Sequence, residues 1–293
     1  MIFSVTKRLW LSVVMVCVLL AVLWFKFTFT VPEDEHLITT DGVADMQVAS
    51  SFQCWSPAHA SGFLDDNGYI DVLVWNIYKE NRDNWQGELT DLIDGKQLTL
   101  LQEASLTDEF KDWLYQLDWI GQQVNAFDAF DVSAGVLNIT HVYPKQACAQ
   151  LDTEPWIQLP KSALFATYSL SNGEVLAVGN VHGINFTIGT KAYQEQLQRL
   201  ADKLKQHQGP ILLGGDFNSW SAERMSVLSH IMASVGLKEV TFDKGARTKF
   251  MYGHILDHIF YRDLQLIKAE APTSDASDHN PMLAKFSINQ VRH

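Results

Sequence analysis

At 293 residues, with 47% hydrophobic and 19% charged side chains, the chain has a globular balance, enough for one large domain or two small ones with a sizeable core. Its formal charge of −12 and isoelectric point near 5.2 argue against a non-specific binder of nucleic-acid backbones, which carries a basic stripe. The acidity does not exclude a nuclease, because a carboxylate cluster that holds a divalent cation is itself acidic.

The first element is residues 9–25, almost unbroken hydrophobe, preceded by Lys7 and Arg8, interrupted by Lys26 and continued to Val31. The longer run can span a bilayer if Lys26 snorkels. The basic flank sets the N-terminus in the cytoplasm, with Glu33, Asp34 and Glu35 on the far side. This reading gives a single span in a bacterial inner membrane, with the domain on the periplasmic side. A cytoplasmic enzyme with a dispensable extension is the alternative. No small-x-small cleavage site follows the run, and Val16 rather than a small residue precedes Cys17, so neither kind of cleaved signal fits well. The chain therefore divides into a hydrophobic segment at 1–31, a polar linker at 32–68 and a catalytic domain at 69–293.

Within the domain, 70–78 (IDVLVWNIY) and 98–102 (LTLLQ) are short apolar runs that read as buried strands. Between them, Trp85, Leu89, Leu92 and Ile93 have helical spacing, and Phe110, Trp113, Leu114 and Leu117 mark a second short helix. Strands are expected at 132–142, 163–170 and 175–182, with Ser171-Asn172-Gly173 turning between the last two. Helices at 193–204 and 223–235 bracket a strand at 211–214, and strands at 255–261 and 282–286 complete the series. The result is a mixed α/β protein without an internal repeat. Trp113, Tyr115, Trp119, Phe127 and Phe130 read as core and surface packing rather than as a base-stacking platform. Cys54 and Cys148 read more readily as free thiols than as a pair, and no cysteine sits in a metal-binding spacing.

Several apolar runs end in chemistry-bearing groups. They are WNI at 75–77, LQE at 101–103, NVH at 180–182, GDFN at 215–218, LDH at 256–258 and SDHNP at 277–281. Singly each is weak, because a carboxylate that ends a strand is usually a turn or cap residue, and a lone histidine is usually a satisfied core group. Together they describe a site at the end of a sheet, where strands fix position and terminal side chains face the solvent.

In this order the motifs resemble the endonuclease/exonuclease/phosphatase superfamily, which includes DNase I-like nucleases, abasic-site endonucleases, inositol polyphosphate 5-phosphatases and neutral sphingomyelinases. The resemblance covers about residues 70–288 and is strongest to a bacterial branch that carries WNIYK, LLQEA, GDFN-x-W and SDHNP. It implies a four-layered α/β sandwich, two packed mixed β-sheets flanked by helices, here with an N-terminal apolar helix. It also implies that Glu103 binds a divalent metal, with Asn76 and Asp278 beside it. Asp216 would orient or deprotonate water, Asn218 and His279 would contact phosphate, Asp257 would orient His279, and His182 would touch phosphate or protonate the leaving oxygen. An oxygen-rich ligand set suits Mg²⁺ or Mn²⁺ better than zinc. Trp220, two residues past Asn218, is a candidate wall of the substrate pocket, and Lys79 and Arg82 are candidate phosphate contacts. Tyr78 stands where abasic-site endonucleases tend to carry an acidic residue, which weakens a DNA-repair reading. The expected activity is divalent-metal-dependent hydrolysis of a phosphodiester or phosphomonoester bond, as a nuclease-like or general phosphodiesterase, with a membrane-associated phospholipid or inositol-phosphate hydrolase as the alternative; the substrate partner is nucleic acid or phospholipid. Membrane contact runs through the N-terminal segment, and a catalytically silent binding module is the remaining alternative.

Overall fold

The computed structural model describes residues 2–41, 47–49, 54–58, 62–117, 119–250 and 253–288. Helix α1 (Ile2–Thr28) is followed by β1 (Phe29–Thr30), β2 (His36–Asp41), β3 (Gln47–Ala49) and β4 (Cys54–Trp55). Next come β5 (Tyr69–Asn76), α2 (Trp85–Ile93), β6 (Leu98–Ser105), α3 (Asp108–Gln116), β7 (Ile120–Ala129), β8 (Val132–Thr140) and β9 (Gln146–Thr153). Then β10 (Pro160–Ser169), β11 (Val175–His182), α4 (Lys191–Lys205), β12 (Ile211–Asp216) and α5 (Ala222–Ser234). The last strands are β13 (Lys238–Glu239), β14 (Lys244–Gly245), β15 (Asp257–Arg262), β16 (Leu264–Ala271) and β17 (Met282–Ile288).

Two mixed sheets collect these strands. One runs β14-β16-β17-β5-β6-β8-β7-β2-β3, with β1 also on β7; the other runs β13-β15-β12-β11-β10-β9-β4. Val72, Val74, Leu98 and Leu100 from the first sheet meet Leu164, Ala166, Val178 and Leu212 from the second in a continuous core. Alternation along each strand turns the other side chains outward, where they need a second cover. Leu73, Trp75 and Leu101 are covered by Trp85, Leu89, Phe110 and Trp113 of α2 and α3. Ala177, Ile211 and Leu213 are covered by Tyr193, Leu197 and Leu200 of α4 and by Leu228 and Ile231 of α5. Helix, sheet, sheet and helix thus form the four expected layers.

Two sequence expectations change, and the N-terminal helix is as expected. Residues 36–41, inside the stretch read as a linker, form β2 and pair with β7 from His36↔Asn125 to Asp41↔Ile120, so that part is built into the first sheet. Cys54 and Cys148 are joined as a disulfide rather than left as free thiols, because β4 pairs with β9 and sets the two directly opposite. Within α1, Trp10–Thr28 is long and apolar enough to cross a membrane and is only 6% buried, so it is no core helix of the domain.

Candidate active site

Backbone register assembles the site before any side chain is considered. In the second sheet His182 is opposite Asp216, and Asp216 is opposite Asp257, so the ends of β11 and β12 and the start of β15 form one row. In the first sheet Asn76 is opposite Gln102, at the ends of the parallel strands β5 and β6. A buried clamp holds these ends together across the sandwich. Asn180 Nδ2 donates to Leu101 O at 3.1 Å and to Asn138 Oδ1 at 3.0 Å, and Gln102 Nε2 donates to Asn180 Oδ1 at 2.7 Å.

Two backbone irregularities aim the key groups. Glu103 has φ +53° at a register shift between Leu101 and Ala104, so the bulge turns its carboxylate out of the strand alternation. Gly215 has φ +150°, and a Cβ there would lie 2.0 Å from Val181 O, so only glycine allows β11 and β12 to approach where Asp216 is presented.

Glu103 forms an ion pair with Lys79 and lies 3.6 Å from His182 Nε2. Burial pushes its carboxyl up, but the cations beside it, Lys79 and Lys161, help hold it down at about 2. Asp216 accepts from Asn218 N at 2.8 Å and from Asn76 Nδ2 at 3.1 Å. Burial, helped by the Asp257 charge, outweighs His279 and raises Asp216 to about 6. His279 Nδ1 lies 2.9 Å from both oxygens of Asp257, while its Nε2 faces Asp216 at 3.9 Å. Burial disfavours its charge, yet Asp257, Asp216 and Asp278 prevail and lift it to about 10, so it is an imidazolium at neutral pH. His182 is the opposite case: burial, and then Lys161, push it well below its ordinary value, so it is neutral. Its Nε2 is 2.9 Å from Lys161 Nζ. An ammonium can only donate, so Nε2 accepts and the ring proton resides on Nδ1. Two histidines in one cleft therefore carry different charges for stated reasons.

Glu103, His182, Asp216, Asn218, Trp220, Asp278 and His279 share the lining of one cavity of about 550 Å³. Asn76 and Asp257 are buried behind it and act through their bonds to Asp216 and His279. Neither of the expected phosphate contacts lines the cavity: Lys79 is paired with Glu103, and Arg82 lies over the Tyr78 ring. In this state the Asn218 amide donates to Gly183 O at 3.0 Å, so contact with a phosphate oxygen requires an exchange of partners.

The sequence reading missed Lys161, Arg224 and Glu154. Lys161 is the only charged residue in β10, a signal that was present in the sequence. Arg224 is buried at 1% exposure and donates to Ile184 O, Asn218 O and Asn185 O, which pins two site loops to α5. Glu154 accepts from Asn185 N at 2.7 Å and so joins the loop after β9 to the loop after β11. Neither Arg224 nor Glu154 carries a sequence signature of its role. A further trio, Ser219, His258 and Glu239, has the order of a nucleophile, base and orienter, with 2.8 Å between partners. Ser219 is fully buried and its hydroxyl donates to Ile255 O, so the trio fixes a loop and offers no nucleophile to substrate.

The donor chemistry admits a divalent cation. Asp216, Asp257 and His279 present ligand-type atoms within 4.8 Å of one another. Protonated His279 lacks a lone pair for a metal and is committed to Asp257. Glu103, already paired with an ammonium, lines the same cavity as Asp278 and offers a carboxylate oxygen of the kind a hard ion takes.

Acidic and imidazole groups are paired at the mouth of a two-sheet sandwich, and the chain belongs to the endonuclease/exonuclease/phosphatase family, whose model matches residues 73–279. Among its relatives, a UPF0294 protein of Vibrio campbellii is 52% identical over 265 residues, covering 90% of this chain and 93% of that protein. The human Nocturnin catalytic domain with bound sulfate shares the fold at a TM-score of 0.59 and 18% identity, covering 78% of this chain and 97% of that one. Zebrafish (D. rerio) TDP2 complexed with a single-strand DNA product shares it at 0.56 and 16%, covering 75% and 99%.

Proposed function

We propose that this protein hydrolyses a phosphodiester or phosphomonoester with the help of a divalent cation, Mg²⁺ or Mn²⁺, held by Glu103 with Asn76 and Asp278 beside it. The observation that carries the reading is the contrast between two carboxylates in one cavity: Glu103, paired with Lys79, is held down at about 2, and Asp216, buried opposite Asp257, is raised to about 6. One is a permanent anion fit to hold a cation. The other is a base poised near neutral pH. When bound, the metal supplies charge neutralisation at the phosphoryl oxygens.

The chain's own groups supply the rest. Asp216 takes a proton from the attacking water, kept in orientation by Asn76 and by the Asn218 backbone N–H. His279 presents a positive Nε2–H to a phosphoryl oxygen, and Asp257 fixes its ring and charge. Lys161, aimed into the same cavity, offsets further negative charge. Trp220, held by Asn185 Oδ1 at 2.9 Å, walls the pocket.

Lys7 and Arg8, the apolar helix and the Cys54–Cys148 disulfide support a membrane-anchored protein with its domain on the periplasmic side. The test is hydrolysis of bis(p-nitrophenyl) phosphate by the full-length protein in detergent with Mg²⁺ or Mn²⁺, against a chelator. Glu103→Gln and His279→Ala should lose activity. Absence of cleavage, or substitutions without effect, would remove the reading.

A further inference from the structure

The apolar helix leaves the domain at the same end of the sandwich as the catalytic mouth. Glu103 lies near the end of β6, where Ser105 is opposite Ala134 at the start of β8. The start of β8 turns back into the end of β7 through Ala129↔Val132. There Phe29, the first residue after α1, is opposite Ala129. From β6 to β1 is three strand spacings, about 14 Å. No slack separates helix from sheet: Phe130 N donates to Thr28 O at 3.2 Å, and Phe29 packs on Phe25 and Phe127. Trp24, 62% exposed, and Lys26 mark the end of the helix next to the domain, as interfacial anchors do.

The surface at that end is apolar. Trp156, Phe186 and Phe250 line the cavity yet are 63%, 53% and 46% exposed, and Ile188 on the same loop as Phe186 is 81% exposed. Phe130, at the tip of the β7–β8 hairpin, is 74% exposed and has φ +50°. A tight hairpin favours Asn or Gly in that left-handed position, so an exposed phenyl ring there adds nothing to the fold. Scattered exposed hydrophobes need no explanation, but these gather on the one face from which an apolar helix emerges.

We propose that the helix holds the catalytic mouth against the bilayer it crosses, and that the substrate is the phosphodiester of a membrane phospholipid headgroup. The inference rests on the phosphoesterase reading above and adds the substrate class. Aromatic side chains at a cleft also suit nucleic-acid bases. The orientation of the mouth toward the helix exit favours lipid. The reaction balances with water alone. Water oxygen bonds to phosphorus, one ester P–O bond breaks, and the departing oxygen takes a proton, leaving an alcohol and a phosphomonoester.

Two measurements test this on the full-length protein in vesicles of phosphatidylethanolamine and phosphatidylglycerol. With a photoactivatable phospholipid in the vesicles, adducts are expected on peptides holding Phe130 and Phe186–Ile188. Adducts confined to the turns at 94–96 or 171–173, at the opposite end of the sheets, overturn the orientation. In parallel, release of lipid headgroup is compared with cleavage of bis(p-nitrophenyl) phosphate and of single-stranded DNA. Hydrolysis of vesicle lipid and of the small diester supports the proposal. Hydrolysis of the small diester and DNA but not lipid overturns it and leaves the phosphoesterase reading standing. No hydrolysis of any substrate overturns both. Phe130→Asn, which suits the turn, should keep stability and the rate on the small diester. It should lower hydrolysis of vesicle lipid about tenfold, from the loss of one inserted aromatic side chain. An unchanged rate on vesicles counts against the membrane contact.

Discussion

His279 places Nδ1 at 2.9 Å from each carboxylate oxygen of Asp257, and this carboxylate chiefly sustains the charge of the imidazolium against the burial that opposes it. It yields a pH prediction. Asp216 works as a base only when ionised, so the rate rises as pH passes about 6; His279 works as a cation only when protonated, so the rate falls near 10. Asp257→Asn removes an anion that raises both groups. Both limbs should therefore move to lower pH, the alkaline one by about one to three pH units, while the maximum falls. A loss of packing alone lowers the maximum and leaves the limbs in place, so the pH–rate profile separates the two.

Glu103 is held as an anion by Lys79 and Lys161, despite its burial. A cation that binds the folded state alone stabilises it by about 2.7 kcal/mol at a hundred times its Kd. Millimolar Mn²⁺ should therefore raise Tm by several degrees over the chelated protein. Glu103→Gln should abolish that increment, read as the difference between the metal-loaded and chelated Tm of the variant itself, and should also lower the chelated Tm, because Lys79 and the buried Lys161 lose their counter-charge. An equal increment in the variant places the metal elsewhere.

The catalytic end was legible in the sequence because the motifs follow the right order: WNI, LQE, NVH and GDFN lie at the ends of β5, β6, β11 and β12, whereas LDH and SDHNP, also read as strand ends, instead lead into β15 and β17 at that same end. Register then brings His182, Asp216 and Asp257 into one row that no single motif reveals. What escaped was polar where apolar was expected. β7 (IGQQVNAFDA) buries Gln122, Gln123 and Asn125, and β9 (QACAQLDT) lacks β-branched runs until its final threonine, so neither shows the alternation of a strand. Both are held by neighbours on either side in their sheets, which overrides weak propensity. Two motif residues, Gln102 and Asn180, join the sheets behind the site rather than touch substrate, a role that spacing cannot disclose. The Cys54–Cys148 bond escaped for the same reason, since it depends on the pairing of β4 with β9 across 94 residues.

Arg224 donates to three backbone oxygens and to Thr187 Oγ1 at 3.1 Å, and its guanidinium stacks over Tyr193 and Trp220. Arg224→Met keeps the apolar volume but leaves those carbonyls without their donor. An unsatisfied buried acceptor costs about 1–3 kcal/mol, so urea denaturation should show a loss of about 3 kcal/mol or more. KM should rise as well, because the Gly183–Thr187 loop and Trp220 lose their common anchor. A variant as stable as the parent would show that water replaces the guanidinium at low cost.

The disulfide links compartment to stability, and the two can be read separately. It closes a separation of 94 residues, so its removal should destabilise the fold by about 2–4 kcal/mol, chiefly by freeing the unfolded chain. Cys54→Ala with Cys148→Ala, compared with the parent by urea denaturation, measures that term without added reductant. Compartment is tested on cells quenched in acid and treated with a thiol-reactive polyethylene glycol under denaturing conditions. The chain has three cysteines, of which Cys17 in the apolar helix is free. A periplasmic domain should therefore take one label before reduction and three after. A domain in the reducing cytoplasm should take three in both cases, because thiols there stay unpaired however well strand pairing aligns them. That result would put the catalytic mouth against the inner leaflet and reverse the topology read from Lys7 and Arg8, while leaving the relation between helix exit and active site intact.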